Sequence, residues 1–221
     1  MRILVINPNI NELTTQRIRK VADTLVSMPN QAKVVSANSG IELIKNVNQE
    51  KVAAKAVVSL IKLNHLDFNA IVIAAFSDPG LLDARKISVC PVFGICESAM
   101  EFASQTANRF SIISVGQSLK ESIRINVEKY NYNNKVARIR MLPWSKVDEF
   151  TDPIALQKAF VKECELAIFE DAAEAIIIGG GPLSGLADTI SDQLTVPIFD
   201  GVKCAIKLAL KSSYKAQSNE K

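Results

Sequence analysis

The chain runs through the same cycle of segments twice. Strand-like RILVI (Arg2–Ile6), a polar loop NPNINELTT and a helical pattern QRIRKVADTLV open the first half; RFSIISV (Arg109–Val115), GQSLKES and RINVEKY open the second. Short β-like stretches follow, AKVVS (Ala32–Ser36) and KVARIRM (Lys135–Met141), each succeeded by a helix, KVAAKAVVSLIKL and IALQKAFVKECELAIFE. Each helix leads into an almost uninterrupted apolar strand, AIVIAAF (Ala70–Phe76) and AIIIGGG (Ala175–Gly181), then a turn, SDPGLLDA and PLSGLADT. Both halves close with an apolar strand after proline, PVFGI (Pro91–Ile95) and PIFDG (Pro197–Gly201), and a helix, ESAMEFA and KCAIKLA. Partners lie about 102 to 108 residues apart, which marks a duplicated unit of about a hundred residues.

The repeat restricts the fold. Strands apolar on both faces and alternating with helices belong in buried parallel sheets. Right-handed crossovers then put helices on both sides of each sheet. The expected class is α/β, with two pseudo-symmetric lobes whose parallel sheets are flanked by helices and which share one cleft. Composition agrees: 48% of residues are hydrophobic and 22% charged, a globular balance. No apolar run reaches the ~20 residues of a membrane span, and MRILVINPN reads as a first strand rather than an export signal. Four cysteines without ligand spacing suggest neither a disulfide framework nor a zinc site. The cytoplasm is therefore the expected compartment. A net charge of +3, concentrated partly in the tail Lys207–Lys221, gives no reason to expect nucleic acid or membrane as a partner.

In such sheets ligands bind beyond the carboxyl ends of the strands. That directs attention to NPN with Asn11, Thr14 and Thr15; to FSDPG; to GQS, with Gln117 and Ser118; and to GGGPLSG. Small polar residues and glycine there present backbone N–H groups, and the following helices add positive dipole ends. The expected ligand is small and either anionic or carbonyl-bearing. Asn7, Asn9, Thr15, Ala75, Phe76, Ser77, Gln117, Ser118, Gly180, Gly181, Pro182 and Leu183 are the candidate binding residues. Asp78-Pro79 reads as an N-cap and N1 pair. GGGPLSG lacks the Lys-Ser/Thr of a P-loop. The single histidine, His65, falls at the opposite edge of the sheet, so no Ser–His–Asp arrangement is available. No metal-ligand cluster is evident, and no metal or cofactor is expected. Trp144, in MLPWSKVDEF, packs a linker against a lobe or stands at the cleft rim.

These segments, VINPN, IVIAAFSDPGLLDAR, PVFGICESAM, RFSIISV and IIIGGGPLSGLA in order, resemble the hydantoin and allantoin racemase branch of the aspartate/glutamate racemase superfamily over residues 1 to 210. The resemblance implies a cofactor-independent isomerase with a cleft between lobes. It also implies that the helix after Pro91–Ile95 crosses to the second lobe and that the last helix returns. The first lobe is then 1–98 with 202–221, and the second 99–201. The chemistry it implies is two-base racemisation, with one cysteine thiolate removing the proton beside a carbonyl and a second returning it from the other face.

At the ends of the two central strands, where the resemblance places those cysteines, this chain has Ala75 and Gly180. Neither can carry a proton. Cys96 with Glu97, just beyond a strand end, and Asp78 are the remaining candidates for a base; by the repeat, Glu97 corresponds to Lys203. Cys90, Cys164 and Cys204 read as packed structural residues. Two functions stay open: a divergent racemase of hydantoins, ureido acids or amino acids with replaced catalytic groups, and a ligand-binding paralogue or sensor that keeps the cleft. A homo-oligomer is compatible with either.

Overall fold

The computed structural model describes residues 1–146 and 152–218. The first half contains β1 (Arg2–Asn7), α1 (Glu12–Leu25), β2 (Gln31–Ser36), α2 (Val47–Asn64), β3 (Ala70–Ile73), α3 (Leu81–Ile87), β4 (Val92–Gly94) and α4 (Ile95–Thr106). The second contains β5 (Phe110–Val115), α5 (Lys120–Lys129), β6 (Val136–Leu142), α6 (Pro153–Asp171), β7 (Ala175–Ile178), α7 (Leu186–Ile190), β8 (Ile198–Asp200) and α8 (Gly201–Ser218). Two four-stranded sheets form, ordered β2-β1-β3-β4 and β6-β5-β7-β8, and every pairing is parallel.

The duplication is visible in the register. Ile6 pairs with Ile73 in one sheet where Ile113 pairs with Ile178 in the other. Ile73 pairs with Gly94 where Ile178 pairs with Asp200. All residues of β3, β5 and β7 are buried, which is why their sequences are runs of Ile, Val and Ala rather than alternating patterns.

Three local expectations shift. The first helix begins at Glu12, earlier than QRIRKVADTLV, because the Asn11 side chain caps it by accepting from Thr14 N at 2.7 Å. The apolar strands are shorter than their sequences. β3 ends at Ile73 and β7 at Ile178 because their neighbours β4 and β8 turn straight into helices there. Ala74 N and Gly179 N keep one last bond each, to Ile6 O and Ile113 O, and the residues after them leave the ladders. Finally, Gly80, not Asp78, is the cap residue of α3.

Helices α4 and α8 are exchanged between the sheets. α4 packs on β7 and β8, α8 packs on β3 and β4, and the two helices pack on each other. One hydrophobic cluster accordingly takes Val5 and Val72 from one sheet, Ile112 and Ile177 from the other, and Met100 and Ile206 from the exchanged helices. The outer faces have separate clusters, around Leu4, Ile61 and Leu81 and around Ile113, Phe160 and Ile176. Among the described residues, no helix is long and apolar enough to cross a membrane.

The edge strand β6 is fastened by charge. Arg140 donates to both oxygens of buried Asp171, at 2.6 and 2.8 Å, and reaches Glu163 and Glu170 at 2.9 and 2.7 Å. Ser111 on β5 donates to the same Asp171 at 2.9 Å. Removing one partner of such a buried cluster strands the other charge. Arg140→Met is therefore expected to destabilise the protein by about 3–5 kcal/mol, read as a lowered urea midpoint. An unchanged midpoint would show that Asp171 finds enough compensation in Arg138 and water.

Candidate functional site

The loops leaving the carboxyl ends of β1, β3, β5 and β7 meet over one small cavity. Its wall is made by Asn9, Leu43, Ile44, Ala74, Ala75, Phe76 and Ser77 from the first half, and by Ser114, Val115, Leu119, Trp144, Gly180, Gly181 and Pro182 from the second. Ala75 and Gly180 thus face the same space, and no wall residue among those described carries an ionisable side chain.

Hydrogen bonds from behind set the polar groups of this wall. Asn7, fully buried at the end of β1, donates to Asn9 Oδ1 and to Thr15 Oγ1, both at 3.0 Å. Asn9 Oδ1 also accepts from Asn11 N at 3.0 Å. With its oxygen held twice, Asn9 keeps its Nδ2 group as the donor it can offer to the cavity. Ser114, one residue past Ile113 as Asn7 is one past Ile6, donates to Gly179 O at 2.6 Å. Arg17 on α1 donates to Pro182 O at 2.7 Å, tying the second-half loop to the first half. The backbone N–H groups of Phe76, Ser77, Gly180 and Gly181 reach no protein acceptor among the described residues.

The candidate residues sort by position. Asn9, Ala75, Phe76, Ser77, Gly180, Gly181 and Pro182 line the cavity. Asn7, Thr15 and Leu183 lie buried behind it. Gln117 and Ser118 are exposed, and Ser118 donates to Lys45 O, so both stand outside the wall. Leu43, Ile44, Ser114, Val115, Leu119 and Trp144 complete it. Ser114 could have been found by applying the repeat to Asn7. Val115 ends β5 and Leu119 directly follows GQS, Trp144 takes the cleft-rim place of the two open to it, and only Leu43 and Ile44 come from a segment with no strand-end signal.

The candidates for a base are occupied elsewhere. Glu97 is ion-paired with Arg85 of α3. The repeat keeps that bridge with its polarity reversed, since Lys203 bonds Asp188 of α7 at 2.6 Å. Cys96 is fully buried; burial first, and the neighbouring Asp78 second, push its thiol well above the ordinary range. Burial likewise pushes Cys164 and Cys204 up to about 12. Such thiols stay protonated near neutral pH and do not act as bases. No group of His, Cys, Asp and Glu among the described residues could hold a metal ion.

Asp78 is a joint. It accepts from Cys96 N at 3.0 Å and Glu97 N at 2.9 Å, capping α4 rather than the helix that follows it in sequence, and from the Tyr130 hydroxyl across the lobes at 3.0 Å. Next to it, Ser77 O accepts from Asn126 Nδ2 at 2.8 Å. In the second half Asp200 does the same for α8, accepting from Lys203 N at 3.0 Å and from Gly185 N at 2.7 Å. Burial raises the Asp78 carboxyl to about 7 against the pull of its three donors. A carboxyl raised above its unfolded value of about 4 contributes stability that is fully present below pH about 4 and is lost as pH climbs through about 7. Wild-type protein should thus lose stability between those values, whereas Asp78→Asn should show a flatter urea midpoint over the same range. Parallel profiles for the two proteins would rule out this titration.

The whole arrangement has known counterparts. Residues 3–209 match the family model described as Asp/Glu/Hydantoin racemase. A hydantoin racemase of Pseudomonas sp. (strain NS671) is 34% identical over 210 residues, 95% of this chain and 84% of that protein. The structure of allantoin racemase from Klebsiella pneumoniae superposes with a TM-score of 0.92 at 31% identity, covering 98% of this chain and 89% of that one. That of allantoin racemase from Pseudomonas fluorescens gives 0.93 at 26% identity, covering 98% and 92%. Two parallel sheets with exchanged helices, one cavity at their strand ends and a match over nearly the full length lead to one assignment: the chain belongs to the Asp/Glu/hydantoin racemase family, in its hydantoin racemase branch.

Proposed function

We propose that this protein binds a small carbonyl compound of the hydantoin or ureido-acid type in the cavity between its lobes, and that it does not racemise it by a two-base route. The observation that carries the proposal is the pair Ala75 and Gly180 in a cavity wall that has no ionisable side chain among the described residues. A carbon acid beside a carbonyl gives up its proton slowly to water, and a positioned base is typically worth 10²–10⁴-fold. Asp78 and Cys96 stand behind the wall, engaged in capping α4 and in packing.

Binding asks for less, and its parts are present. Asn9 Nδ2, the Ser77 hydroxyl and unengaged backbone N–H groups supply donors for a carbonyl or carboxylate oxygen. Leu43, Ile44, Phe76, Val115 and Leu119 supply an apolar wall for a small ring. The rival reading, a racemase with substituted bases, is favoured by the 34% identity to a hydantoin racemase.

Solvent exchange separates the two. In D₂O, the α proton of a 5-substituted hydantoin should persist at the buffer rate in the presence of the protein, while calorimetry detects binding that Asn9→Ala with Ser77→Ala weakens about tenfold or more. Exchange at enzyme-like turnover would overturn the proposal. Restoring thiols should be unequal in cost. Gly180 has φ 144° and ψ 133°, backbone that a side chain enters with strain of about 1–3 kcal/mol. Gly180→Cys is expected to lower stability by that order and Ala75→Cys hardly at all, as thermal unfolding of the two variants would show.

A further inference from the structure

We infer that the loop 38–46, between β2 and α2, is a gate to the cavity, with Leu43 as the part that moves aside. The inference rests on the binding function proposed above for its purpose, and on the loop's own contacts for its existence. The cavity holds about 50 Å³, against roughly 300–1,000 Å³ for pockets that take drug-sized molecules. That is space for water, so a wall has to move before a substituted ring enters. Beside it on the surface lies a groove lined by Asn11, Leu13, Thr14, Arg17, Leu43 and Pro182. Leu43 and Pro182 belong to both linings, and so form the partition between groove and cavity.

Of the two, Leu43 stands on the looser support. Pro182 sits in the helical turn Gly181–Leu183, and its carbonyl is held by Arg17 at 2.7 Å. The loop 38–46 contains neither helix nor strand. Gly40, at φ 130°, gives its first turn a backbone with no side-chain restriction. Ile44 packs with Ala53 and Ala75 in a small cluster apart from the main cores. Two ties hold the loop inside the first lobe: Ile10 N donates to Ile41 O at 3.0 Å, and Asn11 Nδ2 to Glu42 Oε1 at 2.6 Å. Two more reach the second lobe: Ser118 Oγ donates to Lys45 O, and Lys45 Nζ stands 5.4 Å from the centre of the Trp144 ring. A segment with little buried apolar surface and exposed hydrogen bonds opens at low cost, which is what a lid requires.

The ties distinguish this motion from a parting of the lobes as bodies. Parting would break the contacts of Lys45 with Ser118 and Trp144 and leave those of Ile41 and Glu42 intact. A moving loop breaks all four.

Ala75→Cys places a thiol in the cavity wall, and methyl methanethiosulfonate with peptide mass mapping reads how fast it is reached. Buried Cys96 and Cys164 in the same chain time global unfolding. The introduced thiol should react faster than either, yet far more slowly than in the urea-unfolded chain. Adding Glu42→Ala, which cuts a tie inside the first lobe, should speed it about two- to tenfold. Tyr130→Phe, which loosens the lobes at Asp78, should not. In otherwise unaltered protein, Glu42→Ala should raise deuterium exchange of the Ile10 amide by the same factor. Reaction no faster than that of Cys96, reaction as fast as in the unfolded chain, no response to Glu42→Ala, or a response to Tyr130→Phe alone would each overturn the gate. None of these readouts needs a ligand. A loop that opens as expected around a cavity to which hydantoin fails to bind by calorimetry would remove the proposed function and keep the gate.

Discussion

The carboxylate of Asp78 takes its hydrogen bonds from the first turn of α4 and from Tyr130, and the shape of the cleft depends on that attachment. It fixes the loop after β3 to the helix that leaves for the other sheet, and it does so where Phe76 and Ser77 must face the cavity. A neutral residue could cap the helix, but a buried acceptor with two oxygens serves α4 and α5 together. The second half solves the same problem from a different place in the chain. Asp200 ends β8 at the position equivalent to Gly94 and turns its own side chain onto α8. In the first half the Asp78 carboxylate occupies the space that a Cβ on Gly94 would need. The two halves therefore keep the cap while exchanging the residue that provides it.

The same freedom shows in the ion pairs outside the caps. Glu97 with Arg85 and Lys203 with Asp188 join the exchanged helices to the short helices α3 and α7, with signs reversed between halves. What the repeat preserves is the joint, and chemistry at each joint drifts so long as charge and hydrogen bonding remain paired. Glu97 is accordingly better understood through Arg85 than through the cavity, which it does not line.

At the cavity itself the halves have diverged most. Ala75 sits in a turn closed by Asp78 N donating to its carbonyl at 3.0 Å, a conformation open to any small residue. Gly180 stands in backbone that a side chain enters only with strain, and the N–H groups of Gly180 and Gly181 reach no protein acceptor among the described residues. One wall is thus a surface that lacks a functional group, and the other a loop that has adopted a different path. The donors that would hold a carbonyl oxygen survive both changes, because they belong to the main chain and to Asn9.

Much of this could be read from the chain alone. The repeat determined the succession of elements along each half, the burial of β1, β3, β5 and β7, and the edge at which NPN, FSDPG and GGGPL converge, because hydrophobic periodicity and loop composition are local properties that a parallel sheet converts into position. Asn9, Ala75, Phe76, Ser77 and Gly180 to Pro182 were legible for that reason. The tertiary structure decided what each side chain meets. Asp78 precedes α3 in sequence yet caps α4, since the helix start that lacks an acceptor lies nearer in space than in chain. Leu43 and Ile44 enter the wall from a segment with no strand-end pattern, and packing between lobes puts Trp144 at the cavity, one of the two places its sequence left open. Cys96 looks available just past a strand end, but the exchange of α4 between the sheets buries it. Partners of this kind are set by how two sheets and two crossed helices fill one core, and no spacing along the chain records that.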